Sequence, residues 1–175
     1  MCSSDLRLRL VFLPRETTGY ENQPEAVFWE VRAKEVEYIT GICNFMGTYS
    51  GPHVLGPAYY AELVCAALGV ELSEQELMCL GQAGCNLEKA FNTLHAGFAR
   101  ADDYPPQRYM EVPIDAGPYA GFRCDRDKWD EMLDRLYELH GWHVKTGLQT
   151  RRGLEGLGLE DVAATLEGAG RLVSE

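Results

Sequence analysis

The sequence predicts a mainly α protein, an irregular bundle of about five helices joined by long Pro/Gly-rich loops. Apolar residues recur at three- and four-residue steps over several stretches, and glycines follow the ends of those stretches. Alternation of period two is confined to a few residues near the start.

Residues 1–6, MCSSDL, match the translation of a common sequencing adapter and read as a scar, which leaves 7–175 as the region to interpret. Leu8, Leu10 and Phe12 alternate with Arg7, Arg9 and Val11, so a short strand is expected there, and Pro14 to Pro24 reads as loop. From Glu25, the positions Val27, Phe28, Val31 and Val36 follow helical spacing and run into Tyr38-Ile39-Thr40-Gly41-Ile42-Cys43-Asn44-Phe45. Gly47 to Gly56 is loop, and Ala58 to Leu68 is a second helix stopped by Gly69. Tyr59, Leu63, Ala66 and Ala67 are its expected inward face.

The longest pattern begins after Ser73, which stands three residues before Glu76 as a capping box requires. Leu77, Leu80, Gly84, Leu87, Phe91 and Leu94 form the apolar stripe of this helix, which ends near Gly97. Gly81 and Gly84 each cost roughly 1 kcal/mol against Ala inside a helix, so they mark a close approach of another backbone. Pro105 and Pro106 forbid helix and push Tyr104 toward extended backbone. Arg100, Asp102, Asp103 and Arg108 crowd this turn, a density that more often ties down a loop than performs chemistry. Val112 to Phe122 stays irregular. Asp125 caps a helix whose face is Trp129, Met132, Leu133, Leu136 and Tyr137, until Gly141 closes it and Trp142 folds back as a plug. Thr150 to Gly158 and Glu160 to Leu172 give two short final helices.

Sixteen basic against 27 acidic side chains leave a net charge of -11, which repels a phosphate backbone and argues against nucleic acid as a partner. No apolar run approaches the roughly 20 residues that span a bilayer, and no signal-peptide core is visible, so the expected location is the cytoplasm, away from membrane. The cysteines Cys2, Cys43, Cys65, Cys79, Cys85 and Cys124 include no CxxC pair, and Cys79 and Cys85 fall about 240° apart around a helix. Scattered thiols of this kind read as reduced and buried. Cys43 is the exception: it follows Gly41 and lies between Ile42 and Phe45, where a metal-cluster ligand in a dry site competes with a buried structural cysteine. His140 and His143 diverge across Gly141 and read as ordinary polar side chains, while His53 and His95 have no evident partners.

A long ordered motif resembles the C-terminal helical domains of the aldehyde ferredoxin oxidoreductase family of tungsten-pterin enzymes. It comprises Gly81, Asn86-Leu87-Glu88-Lys89, Phe91-Asn92, Gly97-Phe98, Arg100, Asp102-Asp103 and Pro106-Gln107-Arg108. Leu133, Tyr137, Gly141-Trp142, Gly147, Thr150, Leu154 and Leu157-Gly158-Leu159 continue it in the same order. The resemblance covers roughly Pro24 to Leu172. In that family an Asp-x-x-Gly-Leu-Cys segment supplies the fourth cysteine of a four-iron four-sulfur cluster and contacts one of two pterins holding tungsten. The matching segment, Tyr38 to Cys43, implies that Cys43 is a cluster thiolate and that Gly41 and Ile42 lie beside a pterin. Tyr38 stands where the family has its acid.

The family's remaining cysteines, in a Cys-x-x-Cys-x-x-x-Cys run, have no counterpart in this sequence. The resemblance therefore implies the C-terminal part of an enzyme that oxidises aldehydes to carboxylic acids, with electrons passing through the cluster to ferredoxin. Its partners would be the enzyme's preceding domains, ferredoxin and, in a homo-oligomer, further copies; the 175 residues alone would be inactive. The alternatives are the equivalent part of a benzoyl-CoA reductase-type tungsten subunit, a non-catalytic helical assembly module, or a remnant without function.

Overall fold

The computed structural model describes residues 19–47 and 56–174. The expected scar and short strand, the start of the first loop, most of the loop before Gly56 and His53 lie outside the described residues. Seven α-helices appear among those described: α1 (Gln23–Thr40), α2 (Pro57–Leu68), α3 (Glu74–Ala96), α4 (Gln107–Glu111), α5 (Arg126–His140), α6 (Arg151–Glu155) and α7 (Glu160–Gly168). Five of them run nine residues or more, and α4 and α6 are single short turns. No strand is present among the described residues, where β pairing is limited to isolated bridges between Trp142 and Gln149 and between Thr150 and Val173.

The helix ends lie where local chemistry puts them. Ser73 and Glu76 form both halves of the capping box, and Asp125 accepts from the amides of Asp127 and Lys128. α1, α2, α3 and α5 each close on a left-handed glycine, namely Gly41, Gly69, Gly97 and Gly141. Tyr104 is extended before the diproline, as expected. The five-residue α4 that follows the prolines was not legible from periodicity.

α3 is the central element, packed against α1, α2 and α7. One core cluster joins Ala33 and Val36 of α1, Tyr60 and Ala61 of α2, and Leu77 and Met78 of α3. A second joins Ala90 of α3, Leu154 of α6, and Ala163 and Leu166 of α7. Gly81 brings α1 and α3 together, because a β-carbon there would strike the Arg32 carbonyl. Gly84 faces the carboxylate of Glu35, a side chain and not the expected backbone.

Two faces differ from expectation. In α3, Leu80, Leu87 and Phe91 are exposed, whereas Gln82, Asn86, Ala90 and Thr93 are buried with Leu77 and Gly81. The cause is a buried amide network. Trp142 Nε1 donates to Asn86 Oδ1 at 2.9 Å, Gln149 Nε2 donates to the same oxygen at 2.7 Å, and Asn86 Nδ2 donates to the Gln82 carbonyl at 3.0 Å. In α2, Tyr59, Leu63, Ala66 and Ala67 face outward, and Tyr60 and Ala61 face the core.

His140 is also more than an ordinary polar side chain, being 4% exposed, stacked on Trp142 and edge-on to Phe28. Its Nδ1 has no hydrogen-bond partner among the described residues. Burial, with Arg32 and Lys89 nearby, lowers its pKa to about 3.

Two outcomes follow for stability. Gly81→Ala is expected to unfold more readily than Gly84→Ala, by about 1–3 kcal/mol in urea titrations, since overpacking against a backbone carbonyl outweighs the propensity gain. His140 is neutral when folded and takes up a proton on unfolding between pH 6.5 and about 3, so stability falls as the pH is lowered through that window. His140→Phe should flatten this loss by up to roughly 1.4 kcal/mol per pH unit, and parallel pH profiles for the two proteins would disprove the assignment.

Candidate functional site

The C-terminal turn of α1 builds the loop that carries Cys43. Helical phase decides which side chains serve the core. Ala33, Val36 and Glu37 are fully buried, and Tyr38 and Ile39, one step further round, are exposed. Gly41 adopts φ 72°, and the Ile42 amide donates to the Glu37 carbonyl at 3.0 Å. Ile42 then turns inward and packs on the first core cluster. Cys43 follows as an exposed free thiol, at the head of a 3-10 turn over Asn44–Met46. Phe45 and Met46 are exposed beside it. Gly41, Ile42 and Cys43 are therefore brought together on one short loop.

The acid beside this segment does not face the same way. Glu37 is completely buried, and Tyr60 donates its hydroxyl to Glu37 Oε1 at 2.8 Å. Tyr38 points out to solvent, so the position that the sequence likens to a family acid presents a phenol.

The remaining cysteines have other surroundings. Cys65 is half-buried and bonded to the backbone of Leu72, donating to its carbonyl and accepting from its amide. Burial pushes the Cys85 thiol up to about 12, and Glu35 and Glu88 add to the shift. Cys124 is free and half-buried. Among the described residues, no group of three or more His, Cys, Asp or Glu side chains is gathered as a metal site. This donor set fits a single-thiolate contribution to a cluster and does not fit a cluster held by these residues alone.

The acidic turn is structural. Arg100 reaches Asp130 at 2.9 Å, Asp134 at 2.6 Å and the Val144 carbonyl at 2.8 Å, and Tyr104 also donates to Asp130. Asp103 accepts from Tyr137 and lies 3.5 Å from Lys89. Burial, then Asp103, raises the Tyr137 pKa, so its hydroxyl stays a donor. His95 packs at a tilt against Phe91 at the end of α3, and His143 pairs with Thr146 at 2.8 Å. A mainly apolar cavity of about 740 Å³ lies between α1, α3 and α5, bordered by Val27, Val31, Trp129, Met132, Leu136 and His140. Trp129, Met132, Leu133, Leu136 and Tyr137, the apolar face read from the sequence, all line this opening.

These features agree with the chain's relatives. The sequence model for aldehyde ferredoxin oxidoreductase, domains 2 and 3, matches residues 6–159. The tungsten-containing aldehyde ferredoxin oxidoreductase of Pyrococcus furiosus is 36% identical over 122 residues, which is 69% of this chain and 18% of that protein. The enzyme of the same name from Thermococcus kodakarensis is 35% identical over the same share of each. The chain thus spans under one fifth of the length of these curated relatives. In three dimensions, the active-site complex of a benzoyl coenzyme A reductase, solved with 1,5-dienoyl-CoA, superposes with a TM-score of 0.74 at 22% identity. That likeness covers 93% of this chain and 24% of the solved one, and shows a shared fold. With the match running through both the Cys43 loop and the buried Asn86 network, this chain belongs to the aldehyde ferredoxin oxidoreductase family, in the region of its domains 2 and 3.

Proposed function

We propose that this chain forms the C-terminal part of a tungsten-pterin oxidoreductase that converts aldehydes to carboxylic acids. In this reading Cys43 is one of four thiolates on a four-iron four-sulfur cluster, and Gly41 and Ile42 present their backbone beside a pterin. When bound, the tungsten-pterin supplies the oxidation and the cluster carries electrons away, with ferredoxin as acceptor. The contribution of these 175 residues is positional. They hold a thiol at a fixed point on a short turned loop, exposed toward the domains that would complete the site.

The observation that carries the reading is the presentation of Cys43. It is an exposed, free thiol on a glycine-turned loop, and the nearby residues Tyr38, Ile39, Phe45 and Met46 of the same segment are exposed as well. The outer ridge of α3, with Leu80, Leu87 and Phe91, adds a second exposed apolar face. Both suit a region that packs against the preceding domains of a larger enzyme, in the cytoplasm. The same loop would serve a ring-reducing tungsten subunit, a reading favoured by the fold shared with the benzoyl coenzyme A reductase complex. Assays with an aldehyde and with an aromatic coenzyme A thioester separate the two reactions.

The test is anaerobic expression of the gene with its flanking reading frame and added tungstate, followed by iron and tungsten analysis. Cys43→Ser is expected to lower iron content and to abolish the cluster's electron paramagnetic signal in its native form. Full retention of both would remove Cys43 from the ligand set. The 175-residue chain alone is expected to hold no iron after anaerobic reconstitution, and stoichiometric iron would contradict the single-ligand reading.

A further inference from the structure

We infer that Glu37 and Tyr60 form a brace that sets the position of the Cys43 loop, making Glu37 a positioning residue and not a cofactor contact. The functional consequence rests on the reading of Cys43 as a ligand, but the brace is argued from geometry alone.

Core packing does not account for a carboxylate at this position. Glu37 follows Ala33 and Val36 on the inward face of α1, and all three are fully buried. A buried carboxylate is costly unless hydrogen-bonded, and Tyr60 supplies a bond at 2.8 Å from a side chain that is itself fully buried. The same residue touches the loop on both sides of Cys43. Before it, the Glu37 carbonyl accepts the Ile42 amide at 3.0 Å. After it, the buried Gly47 lies so close that a β-carbon would run into both the Tyr60 hydroxyl and the Glu37 carboxylate. Between these points the amides of Met46 and Gly47 donate to the carbonyls of Cys43 and Asn44, at 2.8 and 3.1 Å. Residues 42–47 are thereby held at one end by the backbone cap of α1 and at the other against the Glu37–Tyr60 pair, with the Cys43 thiol exposed between them. The brace also couples the loop to α2, which supplies Tyr60.

The experiment uses the 175-residue chain and reads two local rates: hydrogen exchange of residues 42–47, and alkylation of Cys43 by iodoacetamide followed by mass spectrometry. Tyr60→Phe, which deletes only the donor, and Gly47→Ala, which wedges the loop open, are each expected to raise both rates roughly three- to tenfold. Protection of residues 74–96 in α3 should stay unchanged. Glu37→Gln keeps an acceptor for Tyr60 and should restore near-native rates, whereas Glu37→Leu should not. Unchanged loop rates in Tyr60→Phe, or loop and α3 rates rising together, would overturn the brace. In the complete enzyme, Tyr60→Phe should shift the cluster's reduction potential at unchanged iron content, and an unaltered potential would refute the positioning role. Retention of iron in Cys43→Ser would sink the ligand reading while leaving the loop rates of the short chain as they are, so the two failures are distinguishable.

Discussion

The contact between Gly81 and the Arg32 carbonyl fixes how closely α1 and α3 lie, and the rest of the arrangement depends on it. α1 runs 18 residues, and the loop with Cys43 hangs from its end. A helix of that length is a rigid lever of roughly 27 Å, so a small shift at the crossing would move the thiol. Only a residue without a β-carbon lets the two backbones meet this way, which explains a glycine in the interior of the longest helix despite its cost in propensity. Arg32 reinforces the crossing from the other side. Its Nε donates to the Phe28 carbonyl at 3.0 Å and its guanidinium lies 3.8 Å over the Phe28 ring, so the segment of α1 at the crossing is held stiffly.

Behind that crossing, the long signature that identifies the family is architecture and not chemistry. Asn86, Lys89, Arg100, Asp103, Tyr137 and Trp142 all belong to it, and each is spent on holding α3, the acidic turn and α5 together. Such polar networks are demanding, because an orphan buried group costs more than a satisfied one returns, and even here Gln149 Oε1 is buried without a hydrogen-bond partner among the described residues. A sequence that meets these demands can change little without losing several bonds at once. The loop proposed to meet the cofactor, in contrast, needs only a glycine, an inward apolar residue and a cysteine at fixed spacing, so its motif is short and weakly distinctive by itself.

This division also governs how much could be read in advance. Helix ends were legible because caps are local: Ser73 with Glu76, Asp125, and the glycines at 41, 69, 97 and 141 act within a turn of their own position. Helix faces were less legible. Periodicity in α3 offers two stripes, the apolar Leu80, Leu87, Phe91 row and the mixed Gln82, Asn86, Thr93 row, and composition favours the first. In the second row Asn86 is satisfied by Trp142 and Gln149, 56 and 63 residues away in sequence, and Thr93 donates to the Phe98 carbonyl. In α2, Tyr60 and not Tyr59 faces inward, packed with Ala33, Val36 and Leu77 and donating to Glu37, partners supplied by other helices. At the site, Gly41, Ile42 and Cys43 were visible as a motif, but the direction of Glu37 and the role of Gly47 became clear only once α2 was in place.

The departure at Tyr38 acquires a physical meaning from the same helical phase. Successive residues on a helix are turned by about 100°, so an acid at 38 would stand outside in solvent, whereas an acid at 37 stands inside against Tyr60. Moving a carboxylate by one position therefore exchanges one task for another. From outside, it can touch whatever occupies the space beyond the thiol; from inside, it can only steady the loop. Tyr38 retains a hydroxyl at the outward position, where it can donate or accept a hydrogen bond but carries no negative charge. In this chain the outward position thus carries a neutral phenol, and the carboxylate stands inside against Tyr60.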